Sequence, residues 1–137
     1  MRVLGITSAA HNIGVAFTDG GKVVAEYSIA GKEVHSEDLV KLIDRISQDS
    51  KIKISDLDGI AVVKGPGSYG GIRGGVTTAK TIAQVHALPI VGISTLDAIA
   101  FSNRNIAGTL LVLLNACRND YNAALFACRA GVIERLT

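Results

Sequence analysis

Apolar residues along this chain fall into short runs divided by polar turns, and their periods alternate between those of strands and helices. Val3 to Ile6 and Ile13 to Phe17 are strand-length runs, and Lys22 to Ile29 returns after Asp19-Gly20-Gly21, a strong hairpin turn. The chain therefore opens as an antiparallel meander. Behind Ser36, a good helix cap followed by Glu37 and Asp38, the residues Leu39, Leu42, Ile43 and Ile46 recur at i, i+3, i+4 and i+7. That spacing predicts an amphipathic helix over 36–50. Gly59 to Val63 reads as a fourth strand, Ile72 to His86 as a second helix stopped by Pro89, and Ile90 to Ile93 as a fifth strand. Ser94-Thr95-Leu96-Asp97 resembles a capping box, with Asp in place of Glu, and opens a third helix to about Ser102. Thr109 to Asn115 and Tyr121 to Cys128 then read as strands joined by a turn at Arg118-Asn119-Asp120, with a last turn at Arg129-Ala130-Gly131.

Three meandering strands followed by helix, strand, helix, strand and helix is the order of the ribonuclease-H-like lobe. Actin, sugar kinases and chaperone ATPases use that lobe in duplicate. The expected class is α/β, with a mixed five-stranded sheet in an N-terminal lobe over 1–106. Residues 107–137 supply the opening strands of an incomplete second lobe, with the boundary in Asn103 to Gly108. Fold alone does not fix chemistry.

Composition narrows the picture. The chain has 137 residues, 48% of them hydrophobic but only 4% aromatic, so the core must be Val, Ile, Leu and Ala. That composition suits strands covered by helices. A net charge of +2 without a basic run gives no electrostatic argument for nucleic acid as a main direct ligand. The apolar runs are too short to span a bilayer, and no signal-peptide pattern opens the chain. Cys117 and Cys128 sit in apolar surroundings, which predicts free buried thiols and a reducing, cytoplasmic setting. His11, His35 and His86 have no ligand spacing, so no metal site is expected, and His35 reads as an ordinary helix-start residue.

The densest signal is Gly65-Pro66-Gly67-Ser68-Tyr69-Gly70-Gly71-Ile72-Arg73-Gly74-Gly75, between the fourth strand and the second helix. A glycine loop there suits a phosphate cradle at a helix start. The P-loop ending in Gly-Lys-Ser/Thr is absent, however. The match to Gly-x-Gly-x-x-Gly also lacks the first-strand position and the ribose-binding acid of a dinucleotide fold. The other reading is glycines that let a helix pack closely. Ser68 has no nearby base, so a nucleophilic serine and a peptidase activity gain no support. The face formed by Gly75, Thr78, Ala79 and Ile82 is small and uncharged, open to packing within the chain or against a partner. Arg73 and Lys80 are either solvated charges or groups that hold nucleotide or acidic groups at a subunit junction.

Several segments resemble one family. Gly65-Pro66-Gly67-Ser68-Tyr69, Gly71-Ile72-Arg73 and Thr78-Ala79-Lys80 are similar to the signature of the bacterial TsaB (YeaZ) proteins. So are Leu88 to Ala100, and Asn115-Ala116-Cys117-Arg118 leading to Ala123-Ala124-Leu125-Phe126. The resemblance implies a non-catalytic scaffold of the complex that forms threonylcarbamoyladenosine next to the anticodon of tRNAs. Its implied partners are a TsaD-like catalytic subunit, a TsaE-like ATPase or a second copy, and it meets tRNA indirectly. No cofactor is expected on this chain alone; ATP and metal belong to the partner subunits. The implied interface is a helical face of Leu39, Ile43, Ile72, Gly75, Thr78, Ala79, Ile82 and Ala83. The implied nucleotide-proximal group is Gly65, Gly67, Ser68, Arg73 and Lys80. Thr7 stands where the superfamily commonly has a metal-organising Asp, and a neutral hydroxyl is a poor Mg²⁺ ligand. The paired-His metal motif of the catalytic partner is missing. Gly70, Gly74 and Cys117 also depart from the family pattern. The alternative reading is a small nucleotide-dependent kinase or hydrolase of the actin-like superfamily.

Overall fold

The structure, a computed structural model, describes residues 1–10, 12–31, 36–116, 118 and 120–137. The expectations for His11, His35, Cys117, Asn119 and the Ser36 side chain lie outside the described residues. The elements run β1 (Arg2–Thr7), β2 (Asn12–Asp19), β3 (Lys22–Ala30), α1 (Ser36–Ser50), β4 (Gly59–Gly65), α2 (Tyr69–His86), β5 (Ile90–Ser94) and α3 (Thr95–Ser102). After these come β6 (Gly108–Asn115), β7 (Tyr121–Arg129) and β8 (Val132–Arg135).

The first five strands form one mixed sheet in the order β3-β2-β1-β4-β5. β1 is antiparallel to β2 and parallel to β4, with Leu4 opposite Phe17 on one side and Ile60 on the other. Gly20 and Gly21 both hold positive φ, as a two-residue hairpin turn between β2 and β3 requires. α1 and α2 cover one face of the sheet. Leu39 and Ile46 of α1, Ala79 of α2 and Leu4 and Phe17 of the sheet are sealed from solvent. The i, i+3, i+4, i+7 stripe of α1 therefore buries as its spacing predicts. The Tyr27 hydroxyl on β3 also donates to Asp49 of α1 at 2.8 Å, an interaction that lowers the Asp49 pKa and raises that of the phenol. At the opposite end of the sheet Arg2 Nε donates to Asp19 at 2.9 Å, and that bond holds the Asp19 carboxyl below its usual range.

Two element boundaries differ from the sequence expectation. α2 begins at Tyr69 rather than Ile72, because Ser68 caps it by accepting the Gly71 N–H at 3.4 Å. The chain also does not stop after β7. Ala130 (φ 51°) and Gly131 (φ 80°) form a left-handed turn into β8, which pairs antiparallel with β7. The third helix starts as expected, with Ser94 Oγ accepting from Leu96 N–H at 3.2 Å. Its Asp97, however, meets Arg135 of β8 at 2.9 Å.

β6, β7 and β8 make a second sheet, and α3 packs on one face of it. Leu96 and Ala100 join Val112, Ala124 and Phe126 in a separate small core. The opposite face carries Leu111, Leu113, Tyr121 and Val132, all largely exposed. Cys128 is a buried free thiol, as expected of it.

One backbone feature sets up a direct stability test. Ala87 ends α2 in the left-handed region (φ 52°, ψ 40°), where an L residue crowds its own carbonyl and glycine does not. Ala87→Gly should raise the unfolding free energy by about 0.5–1 kcal/mol, read as a higher urea midpoint at unchanged slope.

Candidate functional site

The glycine loop leaves β4 at Gly65, through a cis Gly65–Pro66 peptide, and enters α2 at Ser68. It is fastened to the rest of the molecule at three points. The Ser68 N–H donates to the Ala9 carbonyl at 2.7 Å, and Thr95 Oγ1 of α3 donates to the Pro66 carbonyl at 2.6 Å. The buried Ser8 hydroxyl donates to the Gly71 carbonyl at 2.7 Å. Ser8 and Ala9 follow β1 directly, so the loop lies on the end of the central strand.

The glycines make that approach possible. A Cβ on Gly71 would overlap the Ser8 carbonyl oxygen, and one on Gly75 would overlap the Ser8 hydroxyl. A Cβ on Gly67 would overlap the Ala9 carbonyl. Helical glycine normally costs about 1 kcal/mol relative to alanine, and here the cost is offset by contact between α2 and the residues after β1. Of the two sequence readings of the loop, close packing accounts for these three positions.

Beside the loop lies an open cleft of about 1330 Å³. Ser8 to Ala10 and Asn12 form one wall, the loop from Lys64 to Gly71 a second, and Leu114 to Ala116 with Asn122 a third. Lys64 is the one charged side chain lining it among the described residues. The described lining therefore has no carboxylate to ligate a hard cation and no imidazole or carboxylate to act as general base. Nor do the described residues hold any group of three His, Cys, Asp or Glu placed to bind a metal. Thr7 closes β1 opposite Gly14, one residue before the cleft wall.

The predicted site residues separate into groups. Gly65, Gly67 and Ser68 line the cleft, whereas Arg73 and Lys80 do not. α2 carries Lys80 about 18 Å beyond Ser68, at 1.5 Å per residue, so the nucleotide-proximal group expected from sequence is split. The expected docking face is likewise revised. Leu39, Ile43, Gly75, Ala79 and Ala83 are buried against this chain's own sheet, and Ile72, Thr78 and Ile82 are half-buried. The outward surface of the helical layer is instead Val40, Lys41 and Asp44 on α1, with Tyr69, Arg73, Thr77, Lys80, Thr81, Gln84 and Val85 on α2. The Arg73 guanidinium lies over the Tyr69 ring, 5.3 Å from its centre. Sequence reasoning misses Ser8, Ala9 and Thr95 as anchors of the loop. The available signal is the run of small residues directly after the first strand.

Comparison with known proteins gives a consistent result. The profile of the TsaD family, tRNA N6-adenosine threonylcarbamoyltransferase, matches residues 22–128. The tRNA threonylcarbamoyladenosine biosynthesis protein TsaB of Bacillus subtilis is 32% identical over 136 residues, which is 99% of this chain and 59% of that protein. The chain thus spans about three fifths of that relative's length. A solved Pseudomonas aeruginosa protein with similarity to peptidase YeaZ superposes with a TM-score of 0.91 at 17% identity, over 99% of this chain and 63% of the other. A ROK hexokinase from Thermus thermophilus superposes with a TM-score of 0.56 at 12% identity, over 98% of this chain and 49% of the other. These two likenesses establish the fold, that of the actin-like and sugar-kinase lobe.

Proposed function

This chain belongs to the TsaD-related family of threonylcarbamoyladenosine biosynthesis proteins, in its TsaB (YeaZ) branch, and from that premise we propose that it is a non-catalytic scaffold for a TsaD-like subunit. The work of the pair is the modification of adenosine next to the anticodon of tRNAs, in the cytoplasm. ATP and metal belong to the partner subunits, a TsaE-like ATPase among them, and tRNA meets this chain through the complex.

The observation that carries the reading is the chemistry of the cleft at the end of β1. An enzyme of this fold would need anionic metal ligands or a base where the central strand meets the glycine loop. Here Thr7 closes the strand, Ser8 is buried beneath α2, and Lys64 is the single charge among the described lining residues. The glycine loop bonds to Ala9 and Thr95 of its own chain. The same elements form a firm platform under the outward faces of α1 and α2, the surface a scaffold would offer.

Size-exclusion chromatography of this chain with the TsaD-like subunit of its own organism, with and without ATP, tests the proposal. The expected result is a complex of one copy each and no ATP turnover by this chain alone. A monomer that ignores the TsaD-like subunit and hydrolyses ATP by itself would overturn it in favour of the kinase or hydrolase reading.

A further inference from the structure

The sheet of β6, β7 and β8 has one covered face and one bare face. Val112, Ala124 and Phe126 are buried in the small core beneath α3. Residues alternating with them face the other way, and the register sets Leu111 opposite Leu125, Leu113 opposite Ala123 and Arg129 opposite Val132. Leu111 and Leu113 are each 56% exposed, Tyr121 64% and Val132 68%. With the smaller side chains between them they present roughly 600 Å², at the upper end of the largest apolar patch on an ordinary monomer. Among the described residues of these strands, the charges on this face are Arg129 and Glu134. Both lie toward the end away from Tyr121, Arg129 opposite Val132 and Glu134 opposite Ala127.

We propose that this face pairs with the same face of a second copy of the chain, the two three-stranded sheets stacking about 10 Å apart. A flat surface with one cation and one acid selects no strongly charged partner, and it lacks the basic cluster that anionic lipid attracts. An identical face matches it in shape and in polarity. A two-fold axis across the strands lays the Arg129 and Glu134 end of one copy over the Tyr121 end of the other. Like charges then never meet. Leu111, Leu113 and Leu125 fall near the axis, in the middle of the contact, where apolar side chains are most fully desolvated. Two such faces bury about 1,200 Å² between them, the lower edge of the range for a specific interface, so the expected dissociation constant is on the order of 10 μM. The contact lies on the far side of the second sheet from α3 and does not depend on the scaffold reading.

Sedimentation velocity of the 137-residue chain, run from about 1 to 200 μM, tests the inference. The wild type is compared with Leu113→Lys, with the milder Leu111→Thr and with Val23→Lys, a control at a valine 61% exposed on β3 of the first sheet. The wild type should pass from monomer to dimer across that range. Leu113→Lys should raise the dissociation constant about tenfold or more, because pairing would bury its ammonium without a partner. Leu111→Thr should shift it the same way by a smaller factor, and Val23→Lys should stay within about threefold of wild type. Thermal melts at monomeric concentration show which variants keep the fold, and Leu111→Thr carries the test if Leu113→Lys melts early. Wild type that remains monomeric throughout overturns the inference and leaves the face to a different polypeptide. A dimer that both leucine variants retain, a dimer weakened equally by Val23→Lys, or open-ended growth through strand edges overturns it as well. None of these outcomes alters the scaffold reading, which is tested by the TsaD-like subunit.

Discussion

Gly71→Ala should destabilise this protein by about 3 kcal/mol, while the same change one residue earlier, Gly70→Ala, should stabilise it by about 0.5–1 kcal/mol. Both glycines lie in the first turn of α2, and helix propensity alone favours alanine at each. Packing separates them. Nothing stands within 4 Å of a Cβ built on Gly70, so only the loss of unfolded-chain freedom counts. A Cβ on Gly71 overlaps the Ser8 carbonyl oxygen, which belongs to the backbone directly after β1 and cannot rotate away. To accommodate it, α2 must move off the sheet end. That motion stretches the 2.7 Å bond from Ser8 Oγ to the Gly71 carbonyl and the 2.7 Å bond from Ser68 N–H to Ala9. Urea unfolding of the two single variants beside wild type would show midpoints on opposite sides of the parent. Two midpoints that both rise would mean that the close approach of α2 to Ser8 contributes nothing.

That pair of glycines also marks where sequence reading reaches its limit. Patterns that close within a few residues are legible: the α1 stripe from Leu39 to Ile46, the hairpin at Gly20-Gly21, and the Ser94 cap. Each depends on neighbours close along the chain, and the local pattern carries that information. The start of α2 reads three residues late because its glycines argue against helix locally. Their reason is Ser8, 63 residues distant from Gly71 and joined to it only by folding. Arg73 and Lys80 group with the glycine loop through nearness in sequence, yet a helix carries successive residues away from its own start. The small face of Gly75, Ala79 and Ala83 illustrates a related ambiguity. Small residues allow close approach by any neighbour, and here the neighbour is the chain's own sheet. β8 escapes sequence reading because Val132-Ile133-Glu134-Arg135 is too short to show a period, and its turn begins at Ala130, a residue type that rarely takes positive φ.

Phe126→Ala should cost about 3–5 kcal/mol and release the second sheet before the first. The two cores are separate clusters of different size. The larger contains Leu4, Phe17, Leu39, Ile46 and Ile60, each nearly or fully sealed, and spans three strands, α1 and α2. The smaller rests on Phe126 with Leu96, Ala100, Val112 and Ala124, and Phe126 is its largest buried side chain. Phe126 also supports Arg135, whose guanidinium lies 5.8 Å from the ring centre and holds Asp97 of α3 at 2.9 Å. Removing the ring therefore weakens both the core and the strap that ties β8 to α3. Hydrogen exchange should then show rapid loss of protection in β6 to β8 while β1, β4 and α1 keep theirs, since local opening follows where buried contacts are fewest. The cleft would lose its wall at Leu114 to Ala116 and Asn122, but α2 would remain in place on the first sheet. A single cooperative loss of protection across both sheets would instead show that α3, which touches β4 and β5 as well as β6, couples them into one unit.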